Sequence, residues 1–217
     1  MFPRLTRKIS DRLAAAQGPG PAADHRGSRA IRLWLLLAAV LVLMTLSVGG
    51  MTRLTNAGLS ITQWEPIMGI VPPLGAAEWQ DQFEKYKTTY EYRFVNMNMT
   101  LDEFRYIYNW EWRHRLLARL IFLSLFIPFI VFLLAGRLSK GMQTKIFVIL
   151  GLVVFQGFIG WFMVQSGLRN EVRVSPYRLA LHLGLASLLF TMLVAMALGQ
   201  DQRELPPERD LAKSRRW

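Results

Sequence analysis

Four apolar runs, each near 20 residues long, decide what this chain can fold into: about 31–50, 110–135, 146–165 and a last one ending near residue 198. A helix rises about 1.5 Å per residue, so each run crosses the ~30 Å hydrocarbon core of a bilayer with its backbone hydrogen bonds satisfied internally. The reading is an all-α integral membrane four-helix bundle rather than a soluble domain. A formal charge of +11 would suggest nucleic acid for a soluble protein. Here the basic residues sit in tails and short loops, where they act as topology signals, and no basic stripe interleaved with exposed aromatics is present. Nucleic acid is therefore excluded as a partner and membrane lipid is expected. The absence of cysteine excludes disulfides, thiolate ligands and a cysteine nucleophile.

Residues 1–30 carry Arg4, Arg7, Lys8, Arg12, Arg26 and Arg29 against Asp11 and Asp24, with the breakers Gly18-Pro19-Gly20-Pro21 between them. This is a flexible basic tail, read as a cytoplasmic anchor; an Arg-rich start also suits an organelle transit peptide. His25 lies in this tail without partner ligands. The membrane domain spans 31–198, and 199–217 is a polar C-terminal tail. Span one ends in Gly49-Gly50. Span two is closed by Gly136, and Arg137, Lys140 and Lys145 fill a short loop. Span three holds Gly151, Gln156, Gly157 and Gly160, small residues for close helix contact plus one polar side chain in the apolar phase. Span four opens at Ser175-Pro176, a cap followed by proline at the first helical position. The basic residues concentrate before span one and in the 137–145 loop, while acids balance bases between 51 and 115. This places both termini inside and the long loop outside.

That loop, 51–109, is dense in Gly, Pro, Asn and Trp, the composition of an ordered irregular segment at a membrane surface. Two short helices are expected in it. Trp79, Phe83 and Tyr86 recur at helical spacing opposite Asp81, Glu84 and Lys85, giving a segment that lies on the bilayer or caps a pocket. Thr100-Leu101-Asp102-Glu103 is a capping box. Phe104, Tyr108 and Trp112 then carry one face toward span two, either in one helix or with a bend near Asn109.

The chemistry gathers at Tyr108-Asn109-Trp110-Glu111-Trp112-Arg113-His114-Arg115. On a helix Glu111 and His114 share a face, and Arg115 lies within reach of Glu111. Spans two and four run in the same direction, and each places a histidine in its first turns, His114 and His182. An ionisable group inside a span is costly and points to function. Each histidine could simply hydrogen-bond to a neighbouring helix, but two at matched depth on parallel helices suit one haem iron held between them. Ala118 and Ala186, one turn further in, leave room for a flat macrocycle. Arg113, Arg115, Arg119 and Arg178 lie near the boundary, where they pair with haem propionates or snorkel to the interface. Glu111 is placed either to transfer a proton beside a substrate or to pair with Arg115. Gln156 and the Gly157/Gly160 pair read as packing or porphyrin contacts.

From span one to the end of span four the chain resembles the heme A synthase family, in its cysteine-free bacterial and mitochondrial form. The stretches that carry the likeness are Gly49-Gly50-Met51-Thr52-Arg53-Leu54-Thr55-Asn56-Ala57-Gly58-Leu59-Ser60, Trp64-Glu65-Pro66-Ile67-Met68-Gly69, Pro72-Pro73, Glu78-Trp79, Phe83-Glu84-Lys85-Tyr86-Lys87, Trp110-Glu111-Trp112-Arg113-His114-Arg115, Gln156-Gly157-Phe158-Ile159-Gly160-Trp161 and Ser175-Pro176-Tyr177-Arg178-Leu179-Ala180-Leu181-His182. The resemblance implies an oxidoreductase that converts the C8 methyl of haem O, through hydroxylated intermediates, to the formyl group of haem A used by terminal oxidases. It implies His114 and His182 as haem ligands and Glu111 as the required glutamate of a Glu-x-x-His motif. It also implies a setting in the bacterial cytoplasmic or mitochondrial inner membrane, with haem O synthase as a neighbour in the route. The family has eight spans in two similar halves, and this chain matches the first, where haem O is processed; haem b belongs to the second. The expectation is a homodimer, a partner supplying the second half, or an inactive truncated product. The rival functions are a non-catalytic bis-histidine haem-binding subunit or cytochrome, and a purely structural partner.

Overall fold

The computed structural model describes residues 21–65, 68–169 and 171–201, and among these every regular element is helical. The expected tail up to residue 20, the C-terminal tail beyond Asp201 and the side chain of His25 lie outside the described residues. Four long helices, α1 (Pro21–Leu54), α4 (Leu101–Leu134), α5 (Lys140–Arg169) and α6 (Pro176–Asp201), are apolar and long enough to cross a bilayer. The chain is an integral membrane helical bundle. Two short helices, α2 (Ala76–Lys87) and α3 (Tyr90–Phe94), and a 3-10 turn at Met68–Ile70 build a cap at one end. Sequence reading anticipated α2 and the start of α4 but not α3.

The helix ends explain where the expected boundaries shift. Helix α1 begins at Pro21, whose fixed φ and missing N–H suit a first helical position, so the last residues of the expected tail are helical. It also runs through Gly49-Gly50. Its stop is Asn56, which adopts φ +52°, with Asn56 N–H on the Arg53 carbonyl and Ala57 N–H on the Thr52 carbonyl. Asparagine is one of the few residues that accept this left-handed turn. Helix α4 ends the same way on Gly136 at φ +65°, with Gly136 and Arg137 donating to Leu133 and Phe132. The loop before α5 is then short, because the Ser139 hydroxyl accepts from Met142 N–H and starts the helix there. At the other end of α4 the Thr100/Glu103 capping box forms as expected, and the helix continues without a break past Asn109. Its 34 residues extend roughly 50 Å, so its first turns stand clear of the apolar layer and enter the cap.

In the bundle α1 packs against α4 and α6, and α5 against α6 and α4. Buried side chains fall at helical spacing: Trp34, Leu35, Ala38 and Val42 on α1; Ile121, Leu125 and Phe129 on α4; Ile146, Ile149 and Leu150 on α5; Leu189, Leu193 and Ala197 on α6. One bond in this core repairs a defect. Pro128, inside α4, has no N–H for the carbonyl of Ser124, and an apolar phase offers no water to replace it. The indole Nε1–H of Trp34 on α1 donates to that carbonyl at 2.7 Å.

A second, separate apolar cluster forms the cap. Phe83 and Tyr86 of α2 stack on Phe104 of α4 at 5.0 and 5.3 Å between centroids, and Trp79 meets Tyr108 edge-on at 5.1 Å. The aromatic face of α2 is thus spent on the cap, not on the bilayer. Helix α3 packs against α5 and buries Glu91, 4% exposed, which accepts a hydrogen bond from the Tyr86 hydroxyl at 3.1 Å while Asn96 donates to that hydroxyl at 2.7 Å. Burial pushes the Glu91 carboxyl up to about 7, partly opposed by the bond from Tyr86.

Two outcomes follow for stability. Trp34→Phe strands the Ser124 carbonyl and costs about 1–3 kcal/mol; in a Pro128→Ala background, where residue 128 again supplies the N–H, the penalty shrinks by about 1 kcal/mol. A double-mutant cycle on unfolding in detergent measures this, and zero coupling sinks the account. For Glu91, a raised carboxyl means that the contribution of its neutral form is fully present below the unfolded value of about 4.3 and is lost as pH rises through about 7. Thermal stability therefore falls between pH 5 and pH 8, by at most about 3 kcal/mol, and Glu91→Gln flattens the slope.

Candidate functional site

Between the two apolar clusters lies a layer with few buried side chains. On α4 buried positions skip from Glu111 to Ile121, and on α6 none precedes Leu189. His114 and His182 occupy this layer, each half-buried, on the two helices that start at the capped end. Each ring rests on a glycine of the preceding long helix. A Cβ at Gly49 of α1 would lie 2.9 Å from His114 Nε2, and one at Gly160 of α5 would lie 3.0 Å from His182 Cε1. These glycines admit the close approach of a ring to a helix backbone. Gly49 is therefore not a helix stop, as its doublet with Gly50 suggests in sequence, but a seat for His114.

Gln156 lies one turn before Gly160 on α5, and its Nε2 donates to the backbone carbonyl of His182 at 2.8 Å. Its Oε1, and Nδ1 of His182, are buried with no hydrogen-bond partner among the described residues. A liganding imidazole needs an acceptor for its second nitrogen, so the donor set fits a group that takes the first. Among the described residues no cluster of three or more His, Asp or Glu could hold a metal ion by itself. A haem fits two imidazoles, because the porphyrin brings its own ring nitrogens and needs only axial ligands.

Glu111, one turn above His114, is 4% exposed and fully engaged. Its Oε2 accepts from the Ser60 hydroxyl at 2.7 Å and from Ile61 N–H at 2.8 Å, and its Oε1 pairs with Arg115. Arg115 also donates to the carbonyls of Ile61 at 2.9 Å and Gln63 at 3.1 Å. The 57–63 segment is thereby clamped onto α4, and its Leu59 methyls reach Gly167 on α5, where a Cβ would lie 2.7 Å away. The ion pair expected from the spacing is present. The role of Ser60 and of the Ile61 amide was not legible, because both lie some fifty residues from Glu111 in sequence.

The remaining arginines take separate paths. Arg113 is exposed, 5.5 Å from the Trp110 ring. Arg119 donates to the Glu65 carbonyl at 2.8 Å. Arg178, one turn before His182, donates to the Phe162 carbonyl at 2.7 Å and lies 3.7 Å over the Phe162 ring. Ala118 is exposed and Ala186 half-buried. A cleft is lined by Ile61, Gln63, Glu65, Tyr108, Arg115 and Arg119, and neither histidine lines it.

Residues 32–217 match the family model COX15-CtaA, described as cytochrome oxidase assembly protein. The chain is similar to proteins named heme A synthase: 45% identical to that of Allorhizobium ampelinum over 94% of this chain and 57% of the relative, and 48% identical to that of Azorhizobium caulinodans over 82% and 51%. Against that of Maricaulis maris the identity is 47%, over 83% and 52%. The chain thus spans about half the length of the curated relatives it matches. No solved structure matches it.

The glycine seats are open to test through the rings they hold. Gly49→Ala reorients only the His114 imidazole and Gly160→Ala only that of His182, whereas Gly157→Ala, which faces open space, moves neither. An imidazole is the mobile end of its side chain, so stability changes by less than about 1 kcal/mol in each. Ring resonances of isotope-labelled histidine in detergent report this; spectra identical to the parent's in both seat variants refute it.

Proposed function

The chain belongs to the COX15-CtaA family of cytochrome oxidase assembly proteins, and from that premise we propose that it is the haem-O-handling half of a heme A synthase. In this reading haem O is the substrate and its C8 methyl is oxidised to the formyl of haem A. The carrying observation is the pair His114 and His182, each seated on a glycine in the one layer of the bundle that the apolar cores leave unfilled. When bound there, the haem iron would supply the redox chemistry. The chain's own residues do the rest. His114 and His182 hold and orient the ring between α4 and α6. Glu111 keeps the 57–63 segment over the His114 end of the layer and is the nearest carboxylate able to act beside the substrate. Arg178 retains guanidinium donors for a propionate one turn from His182, and Arg115 contributes through the Glu111 clamp while flanking the same boundary.

The second half of the relatives would provide the haem b site, either as a partner polypeptide or through a second copy of this chain in a homodimer. Haem O synthase is the source of the substrate. The basic residues before α1 and around 137–145 support an orientation with both termini on the cytoplasmic side of a bacterial membrane, and the cap on the other.

One observation favours a second reading, a bis-histidine haem-binding subunit without chemistry: every Glu111 oxygen is already engaged by Ser60, Ile61 or Arg115. Expression beside a haem O source, alone and with the remaining half of the Azorhizobium caulinodans relative, separates the two. Haem A among the extracted haems is the expected result with the second half present. His114→Ala or His182→Ala abolishes the bis-histidine absorption spectrum. Only haem O or B with that spectrum leaves the binding subunit, and no haem at all removes both readings.

A further inference from the structure

Gln156 is a polar side chain in the middle of an apolar helix, and hydrogen bonding between helices accounts for only half of it. Its Nε2 is anchored on the His182 carbonyl at 2.8 Å, which also fixes the sense of the amide, since the reversed one would set two oxygens against each other. The other end, Oε1, is buried without a partner among the described residues, and so is Nδ1 of His182. Leaving either polar atom unsatisfied in an apolar phase is costly, and here the two orphans belong to residues already joined by a side-chain-to-backbone bond. They are also complementary. An imidazole that gives Nε2 to a metal must carry its proton on Nδ1, which makes Nδ1 a donor, and Oε1 is an acceptor. The ring edge nearest Gly160 is Cε1, with Nδ1 and Nε2 at 3.6 and 3.7 Å from where a Cβ would be, and Gly160 is one turn from Gln156 on the same helix face.

We propose that Gln156 is the positioning residue of His182: its amide, moored on the His182 carbonyl, supplies Oε1 as the acceptor for Nδ1–H and so sets the tautomer that presents Nε2. This rests on the reading of His182 as a haem ligand. Gly160 completes the device by letting the Cε1 edge of the ring approach the helix that carries Gln156. His114 rests on Gly49, and among the described residues no side-chain amide bonds to it, so the two ligands differ in how firmly they are set.

The test is electrochemical, on the full chain loaded with haem B as probe. A stronger acceptor on Nδ1–H gives the imidazole more anionic character, favours ferric iron and lowers the midpoint potential. Gln156→Leu, which removes the acceptor, therefore raises the potential, and Gln156→Asn, whose shorter amide cannot serve both atoms and adds no charge, raises it too, both with the bis-histidine absorption retained. Loss of a merely structural contact would lower thermal stability in both variants without raising the potential. If Gln156→Leu does not fold, the upward shift in Gln156→Asn still decides. A parent that binds haem and variants whose potentials equal the parent's overturn this inference alone. A parent that binds no haem overturns it together with the reading beneath it.

Discussion

The buried carboxylate of Glu111 is the joint on which the capped end of the bundle depends. It accepts from a hydroxyl and an amide of the 57–63 segment and pairs with an arginine one turn along its own helix. Removing one partner from such a group leaves a desolvated charge, which is far more costly than never burying it. The clamp therefore fixes two things at once: the path of the chain after α1 and the seating of Leu59 against α5. The cap aromatics then cover a surface whose shape is already set. Without this joint the histidine layer would have no lid, because the apolar cluster of the cap and that of the bundle do not touch across it.

The fold class was legible because an apolar run near 20 residues has few alternatives. The α2 face, the Thr100/Glu103 capping box and the Ser175-Pro176 start were legible for the same kind of reason, since each is a local rule satisfied by neighbours in sequence. What misled was glycine. Gly49-Gly50 reads as a stop, yet α1 continues and ends at Asn56 in a left-handed turn. A glycine required for close approach of a distant ring and a glycine required for backbone freedom are the same letter, and only the partner at position 114 tells them apart.

At the candidate site, spacing gave the reach of Arg115 to Glu111 and the expectation of His114 and His182 at one depth. It left Glu111 between proton transfer and an ion pair, and the ion pair is present. Ser60, the Ile61 amide and the bond from Trp34 to the carbonyl stranded by Pro128 were invisible, because each joins residues far apart in the chain and none has a periodic signature. Polar bonds that cross helices are specified by three-dimensional need, namely a group that must not be left dry and alone.

The bundle consists of two hairpins built to one plan. In each, the helix running toward the cap carries a glycine and the helix returning from it carries a histidine whose ring lies on that glycine: Gly49 with His114, Gly160 with His182. Each seat is set within its own hairpin, without any contact between the hairpins having to specify it. Their surroundings are nonetheless unequal. His114 lies below a saturated carboxylate and an arginine locked into the cap, while His182 is flanked by Gln156 on its carbonyl and by Arg178 stacked on Phe162. Equal surroundings would offer a ring held between two imidazoles two equivalent orientations, and unequal walls on the two sides of the layer remove that equivalence.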